Sequence, residues 1–166
     1  QYTGGTTGLS KGVMLTHRNV LANAWQSRKW IAGEADGTET VLAAIPIFHC
    51  YGMTVSMNLG VLSGASMVLV PRFMIRQILQ LIHDTKPTLF PGVQTMYVAL
   101  NNHPDSTRYN LRSIKACISG AGALHVEVQR KFEELTGGHL VEGYGLSEAS
   151  PVTHCNPVHG VRKIGC

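Results

Sequence analysis

The chain opens on a glycine-rich segment whose residue types suit a polyphosphate. Positions 3–12 carry four glycines, three threonines and one lysine. Glycine lets backbone N–H groups approach an anion closely, threonine hydroxyls bind phosphate oxygens or a hard cation, and lysine adds a mobile positive charge. This combination favours a phosphate loop over a plain surface turn. The residues of these types up to the lysine are Thr3, Gly4, Gly5, Thr6, Thr7, Gly8 and Lys11.

This segment differs from the common P-loop. The P-loop pattern, GxxxxGK[ST], requires a glycine directly before the lysine and a hydroxyl residue directly after it. Here Ser10 precedes Lys11 and Gly12 follows it. We therefore disfavour an ATPase or GTPase of the P-loop class.

A second glycine-rich segment, Gly-Tyr-Gly-Leu-Ser-Glu, occupies positions 143–148. Its two glycines allow close backbone approach, and the Tyr144 ring offers a flat face on which a base can stack. The Ser147 hydroxyl can bind a phosphate, and the Glu148 carboxylate can ligate Mg²⁺. The two segments together favour a nucleotide site over two unrelated surface turns.

Apolar periodicity predicts an alternation of helices and strands. Thr16 suits the N-cap of a helix that closes at Gly33. Helical spacing covers residues 17–32, 53–63, 74–83, 93–102 and 125–136. Short apolar runs typical of buried strands cover residues 40–46, 66–70, 88–90, 115–119 and 139–142.

Alternating strands and helices indicate an α/β fold with a mostly parallel sheet and flanking helices. Ligands of such open sheets bind at the carboxyl ends of the strands. The predicted strands are followed by Phe48-His49, Gly92, Gly120–Gly122 and Gly143–Gly145. The sequence therefore predicts one ligand site along this edge.

Composition narrows the classes of protein. The chain has 166 residues, 44% hydrophobic residues and a net charge of +4. Its basic residues are scattered, which argues against a nucleic-acid partner and agrees with anionic substrates. The four cysteines form no CxxC pair and predict free thiols in a reducing cytoplasm, and His154, Cys155 and His159 are a weak metal candidate. No apolar run approaches the roughly 20 residues that a bilayer span requires.

These motifs resemble those of the adenylate-forming enzymes, a superfamily that includes acyl-CoA synthetases, luciferases and peptide-synthetase adenylation domains. The segment T-G-G-T-T-G-x-x-K-G resembles their phosphate loop, and G-Y-G-x-[ST]-E resembles their second signature. Residues 46–52 resemble their P-x-F-H-x-x-G segment, and residues 119–124 their S-G-x-x-P-L segment. The resemblance covers nearly the whole chain and is nearest to bacterial long-chain fatty acid–CoA ligases.

The resemblance implies a role for each matching residue. His49 would lie between the acyl pocket and the α-phosphate, and Tyr144 would stack on adenine. Ser147, where threonine is usual, would contact the α-phosphate, and Glu148 would ligate Mg²⁺ together with Thr3. The catalytic set would be Lys11, His49 and Glu148. The backbone on the adenine side would come from Gly120, Ala121 and Gly122, with Gly143 and Gly145 flanking Tyr144.

The activity implied is ATP-dependent conversion of a fatty acid to an acyl-adenylate and then to acyl-CoA, with ATP, Mg²⁺ and coenzyme A. The alternatives are an adenylation domain for an aryl or amino acid, and a non-catalytic nucleotide-binding paralogue. We expect residues 1–166 to form one partial domain, the central part of the large N-terminal domain, without the small C-terminal domain. Alone it should be nearly inactive. A cytoplasmic location is expected, with peripheral membrane association left open.

Overall fold

The computed structural model describes residues 1–3, 8–31 and 37–165. The strands are β1 (Tyr2–Thr3), β2 (Lys11–Gly12), β3 (Thr40–Ala43), β4 (Ser66–Leu69), β5 (Gly92–Val93), β6 (Ala116–Gly120), β7 (His139–Gly145) and β8 (Val152–Cys155). The α-helices are α1 (His17–Ile31), α2 (Cys50–Gly52), α3 (Leu59–Leu62), α4 (Ile75–Thr85), α5 (Gln94–Asn102) and α6 (Val126–Thr136). A π-helical segment, Met53–Asn58, joins α2 to α3, and two 3-10 turns cover Ser106–Arg108 and Ser147–Ala149.

Six segments lie side by side in the order β4, β3, residues 88–93, β6, β7 and β8. The pairs β4–β3, β5–β6 and β6–β7 are parallel, and parallel bridges join Leu89 to Val41 and to Ala116. Strand β8 pairs with β7 in the antiparallel direction. The predicted α/β fold with a mostly parallel sheet is confirmed.

The predicted strand 88–90 is wrong in its extent, although its place in the sheet is right. Leu89 forms only single bridges to its neighbours, and regular pairing begins again at Gly92. The intervening Pro91 has no N–H group to donate, so the ladder is interrupted there. The backbone still bonds on both sides, since the Thr88 carbonyl accepts from Lys115 N–H and Thr88 N–H donates to Thr40.

Strand β7 corrects a second expectation. The motif Gly143–Gly145 was predicted to be a loop after a strand that ends at residue 142, but β7 continues through it. The unpredicted strand β8 supplies the partner, with Tyr144 opposite His154. The polar composition of β8 and its short length gave no strand signal, so the continuation of β7 was missed too.

The helices agree with the predictions to within a few residues, apart from the one that was predicted to start at Met53. That helix begins at Cys50 and changes to π geometry. Thr16 caps α1 as expected, because its hydroxyl accepts the Asn19 N–H at 3.1 Å. Gly137 ends α6 in the left-handed conformation, with φ of +77°. The predicted C-cap Gly33 lies outside the described residues.

Alternate strand residues face two separate helical layers. Leu42, Cys117 and Leu140 join the core with α4, α5 and α6. Val41 and Ala116, one position earlier on their strands, pack on the other face with residues of α3 and α1. The sheet is therefore flanked on both faces. Among the described helices, none combines the length and the apolar character needed to cross a membrane.

Candidate functional site

The glycine-rich segment forms an antiparallel hairpin of β1 and β2. Thr3 is paired with Lys11, and the Thr3 hydroxyl donates to the Lys11 carbonyl at 3.4 Å. Lys11 and Gly8 are exposed, and Gly8 has a φ of +134° that a side-chain-bearing residue rarely adopts. The predicted phosphate ligands Gly4, Gly5, Thr6 and Thr7 lie outside the described residues.

A hydrogen bond brings this hairpin to the segment that carries His49. The Gln1 side-chain amide donates to the Phe48 carbonyl at 3.1 Å. His49 itself is exposed and caps α2, since its Nδ1 atom accepts the Tyr51 N–H at 3.1 Å. A neutral ring that accepts at Nδ1 carries its proton on Nε2. His49 is thereby oriented with Nε2 available as a hydrogen-bond donor.

The Tyr51 hydroxyl links strands β5 and β6 next to the site. Its hydroxyl lies 2.9 Å from the Ile118 carbonyl and 3.3 Å from the Gly92 carbonyl. Burial raises the pKa of this phenol far above its ordinary value, so it stays a neutral donor. A side chain on Gly120 would approach the Tyr51 ring to 2.9 Å, which explains why glycine ends β6.

The adenine-side loop predicted at Gly120–Gly122 leaves the sheet at this point. Ala121 adopts a left-handed φ of +62°, an uncommon conformation for a residue with a Cβ atom and one that is enriched at ligand sites. Residues 121–123 are exposed. The loop is held at its far end by Glu142, whose carboxylate accepts the Leu124 N–H at 2.8 Å.

Between β7 and β8 the chain makes a compact turn, residues 146–151, which we call the Ser147 turn. It is closed by the Leu146 N–H donating to the Pro151 carbonyl at 2.9 Å, and it contains the 3-10 segment Ser147–Ala149. The Ser147 hydroxyl lies 3.2 Å from the Cys50 sulfur. The Cys50 contact places Ser147 next to the residue that follows His49.

Two cavities meet at the β7–β8 hairpin. The smaller, of about 200 Å³, is lined by His49, Tyr51, Ser147 and apolar residues that include Ile118 and Val152. The larger, of about 1010 Å³, runs between α1 and the hairpin. Its lining residues include Ala121, Gly122, Tyr144, His154 and Trp30. Both cavities share Ala121 and residues 143–145, so they adjoin each other at the carboxyl ends of β6 and β7, and we refer to the two together as the cleft.

Tyr144 is well placed for a planar ligand. Its side chain is 60% exposed and lies in the cleft, where its ring centroid is 6.3 Å from that of His154. An exposed aromatic face of this kind can stack on a base. The stacking role of Tyr144 remains a prediction.

Of the two residues predicted to hold Mg²⁺, Glu148 has a carboxylate that is open to a cation. Glu148 is exposed, and within the described ranges its carboxylate makes no hydrogen bond or ion pair. That carboxylate is therefore available to a cation. Mg²⁺ in nucleotide sites is usually held by one or two protein carboxylates together with the phosphates of the substrate. In the same ranges there is no cluster of three or more metal-ligating side chains, such as a dedicated metal cage would need. Residues His154, Cys155 and His159 thus form no such cluster.

The family of the chain follows from comparison with known proteins. The family model for the AMP-binding enzymes matches residues 1–166. The chain belongs to the AMP-binding enzyme family. This AMP-binding chain is 54% identical over 169 residues to the long-chain-fatty-acid–CoA ligase of Bacillus subtilis (strain 168). That alignment covers 100% of this chain and 30% of the relative. The predicted resemblance is confirmed.

Solved structures of AMP-binding enzymes share the fold. The anthranilate CoA ligase AuaEII in complex with anthranoyl-AMP superposes with a TM-score of 0.88 at 26% identity, over 99% of this chain and 32% of that one. The ATP-bound MatB from Rhodopseudomonas palustris superposes with a TM-score of 0.84 at 31% identity. That superposition covers 99% of this chain and 32% of the MatB chain. The chain therefore spans about a third of the length of these proteins.

Part of the predicted site is brought together, whereas Thr3, Gly8 and Lys11 of the hairpin line neither cavity. His49, Ser147, Tyr144 and Ala121 line the cleft, and Glu148 follows Ser147 directly. Sequence reasoning missed four residues that hold these elements: the buried Asn23, Cys50 and Thr54, and the half-buried Glu142. Asn23 and Thr54 did carry a signal, because each is a polar residue on the inward face of a helix.

Proposed function

We propose that the complete protein that carries this chain is a fatty acid–CoA ligase. It would join a fatty acid to ATP, release pyrophosphate, and pass the acyl group from the acyl-adenylate to coenzyme A. The observation that carries this proposal is the 54% identity with a long-chain-fatty-acid–CoA ligase along the whole chain. The relatives are about three times as long, so the activity is assigned to the complete protein.

ATP would lie along the cleft with its two ends on different segments. Its phosphates would meet the glycine-rich segment, where Lys11 is exposed and positively charged. Its adenine would lie between the loop Gly120–Gly122 and the exposed ring of Tyr144. Lysine acts on phosphate as a point charge, so Lys11 would offset the charge that develops on pyrophosphate as it leaves.

The Ser147 turn would contact the α-phosphate. The Ser147 hydroxyl lines the small cavity beside His49, where it can donate to an α-phosphate oxygen. Glu148, assisted by Thr3, would hold Mg²⁺. The ion would supply charge neutralisation on the phosphate oxygens. The carboxylate assignment is supported by the exposure of Glu148 and by its lack of a partner among the described residues.

The fatty acid would present its carboxylate to the small cavity. Ile118, Pro151 and Val152 supply apolar surface there, and the Nε2–H of His49 can orient a carboxylate or phosphate oxygen. A carboxylate oxygen would then attack the α-phosphorus and expel pyrophosphate. In the second half-reaction the sulfur of coenzyme A would attack the acyl carbon, and AMP would leave with one oxygen of the original carboxylate.

One alternative has an observation in its favour. The anthranilate CoA ligase AuaEII shares the fold of this chain with a TM-score of 0.88, so an aromatic acid is the second candidate substrate. An amino acid would use the same first half-reaction. A non-catalytic paralogue would bind the nucleotide without exchange. We further propose that residues 1–166 are the central part of one large domain, and that the enzyme acts in the cytoplasm.

Acid-dependent exchange of labelled pyrophosphate into ATP, measured on the complete protein, tests these proposals. The panel comprises decanoate, palmitate, benzoate, anthranilate and the standard amino acids, each with Mg²⁺. We expect exchange with the fatty acids at the highest kcat/KM. Faster exchange with an aromatic or amino acid would show that this acid, and not a fatty acid, is the substrate class. ATP binding without exchange for any acid would favour the non-catalytic paralogue.

A further inference from the structure

The Ser147 turn is held from outside by buried polar side chains that no catalytic role explains. Thr54 has no exposed surface, and its hydroxyl donates to the Ser150 carbonyl at 3.0 Å. Ser150 closes the turn in a left-handed conformation with a φ of +79°. The Thr54 bond therefore fixes the residue at which the chain reverses, two positions after Glu148.

Thr54 behaves differently from the threonines that end α4 and α6. Thr85 and Thr136 each donate to the carbonyl four residues earlier in their own helix, at 2.7 and 2.9 Å. That local bond is the usual choice for a helical threonine hydroxyl. Thr54 instead bonds across to the turn, from a π-helical segment that follows His49 by only four residues. Short π-helical segments within helices are often found at functional sites.

Asn23 of α1 holds the first residue of β8, directly after the turn. Its amide oxygen accepts the Val152 N–H at 3.0 Å, and its amide nitrogen donates to the Val152 carbonyl at 2.7 Å. The same nitrogen lies 3.2 Å from the Gln26 side-chain oxygen, which fixes the orientation of the amide. Asn23 thus pairs with β8 as a neighbouring strand would, although it belongs to α1.

We propose that Thr54, supported by Asn23, is a positioning residue that sets the Ser147 turn at a fixed distance from His49. Thr54 follows His49 on one side of the cleft, and Ser150 follows Glu148 on the other. A single buried hydrogen bond between them locks the hydroxyl of Ser147 and the carboxylate of Glu148 into register with the imidazole. The role in adenylation rests on the proposed function, whereas the mechanical part concerns this chain alone.

Isosteric substitution separates this role from ordinary packing. In the complete protein, Thr54→Val keeps the shape of the side chain and removes the hydroxyl, whereas Thr54→Ser keeps the hydroxyl. Thr136→Val is the matched control, since it deletes an equally buried threonine hydroxyl from α6. We measure kcat and KM in fatty-acid-dependent pyrophosphate exchange, the Mg²⁺ concentration that gives half-maximal rate, thermal stability, and hydrogen exchange of the peptide that contains residues 147–152.

We expect Thr54→Val to lower kcat by about ten- to a hundredfold, because a small misplacement of reacting groups has effects of this size. The Mg²⁺ requirement should rise, and the amides of the Ser147 turn should exchange faster. Thr54→Ser should restore all three. Thr136→Val should lower thermal stability to a similar degree but leave kcat, the Mg²⁺ requirement and the exchange of the turn as in the wild type.

The proposal would be overturned if Thr54→Val matched the control, or if Thr54→Ser were no better than Thr54→Val. Should Thr54→Val fail to fold, Asn23→Asp takes its place. That variant removes the donor to Val152, and Asn101→Asp is its control because the Asn101 amide donates to the Val128 carbonyl away from the cleft. Absence of exchange activity in the wild type would reject the proposed function, while the hydrogen-exchange comparison would still decide the mechanical role.

Discussion

The glycine-rich hairpin and the Ser147 turn carry similar residue types but are held in different ways. Each combines a hydroxyl residue with a charged group, and glycine lies within the hairpin and directly before the turn. The hairpin rests on two strands of two residues each, and Lys11 is exposed on one of them. The turn is fixed by buried partners, since Thr54 has no exposed surface and Asn23 is 5% exposed.

The difference suggests that the hairpin contributes charge, whereas the turn contributes accurately placed groups. An exposed lysine can neutralise phosphate from a range of positions, because the attraction between charges falls slowly with distance. A hydroxyl that must donate to one oxygen needs its backbone held to a fraction of an ångström. Substitutions in the hairpin should therefore weaken the use of ATP at little cost in stability. Substitutions that disturb the backbone of the turn or its buried partners should affect both activity and stability.

The largest contrast is expected from adding one methyl group to each region. In Gly145→Ala the new Cβ atom would collide with the Pro151 carbonyl oxygen, part of the closing bond of the turn, whereas in Gly12→Ala it would meet the Tyr2 ring at an ordinary 3.4 Å. We expect Gly145→Ala to abolish measurable adenylation and to lower the free energy of unfolding by about 2 kcal/mol. Urea unfolding and pyrophosphate exchange check this, and a Gly145→Ala protein as stable and active as Gly12→Ala would remove the contrast.

Glu148→Gln tests the charge that the turn presents. The change keeps the size of the side chain but removes a charged cation ligand, so kcat should fall by about a hundredfold and the Mg²⁺ requirement should rise. Thermal stability should be unchanged, because Glu148 is exposed. Glu127→Gln, an exposed carboxylate on α6, is the control. An unaltered Mg²⁺ titration for Glu148→Gln would make this carboxylate an ordinary surface group.

Lys11→Ala tests the hairpin. We expect kcat/KM for ATP to fall by about tenfold or more through the loss of one charge on the phosphates. The melting temperature should stay within about 1 °C, since an exposed side chain contributes little to stability. Lys131→Ala, on α6, is the matched control. A kcat/KM equal to that of the control would exclude Lys11 from the phosphate site.

The last prediction concerns the pH dependence of stability, and it involves β8, the strand that follows the turn. Burial raises the pKa of the Cys155 thiol on β8 from 9.0 to about 12. The folded state thus holds this proton more tightly than the unfolded state, and the resulting stability is complete below pH 9.0 and is lost as the pH rises towards 12. Cys155→Ala should make unfolding less sensitive to pH in that window. Parallel stability profiles for wild type and variant would contradict this.

The sequence predicted the parts of the molecule that depend on local pattern. Helical spacing located α4, α5 and α6, and glycine chemistry marked the segments around the cleft. The continuation of β7 through Tyr144 was missed, because its neighbour β8 is short and polar and gave no strand signal of its own. The roles of Thr54 and Asn23 were missed for a different reason. A polar residue on the inward face of a helix indicates a buried hydrogen bond, but it does not identify partners that lie 96 and 129 residues away along the chain.

The central claim, activation of a fatty acid through an acyl-adenylate, is tested most directly by following the carboxylate oxygens. The complete protein is supplied with palmitate labelled with oxygen-18 in both carboxylate positions, together with ATP, Mg²⁺ and coenzyme A. Mass spectrometry should find one labelled oxygen in the AMP and one in the palmitoyl-CoA, because the attacking oxygen stays with phosphorus when sulfur displaces AMP. Unlabelled AMP, or ADP as the nucleotide product, would contradict the account.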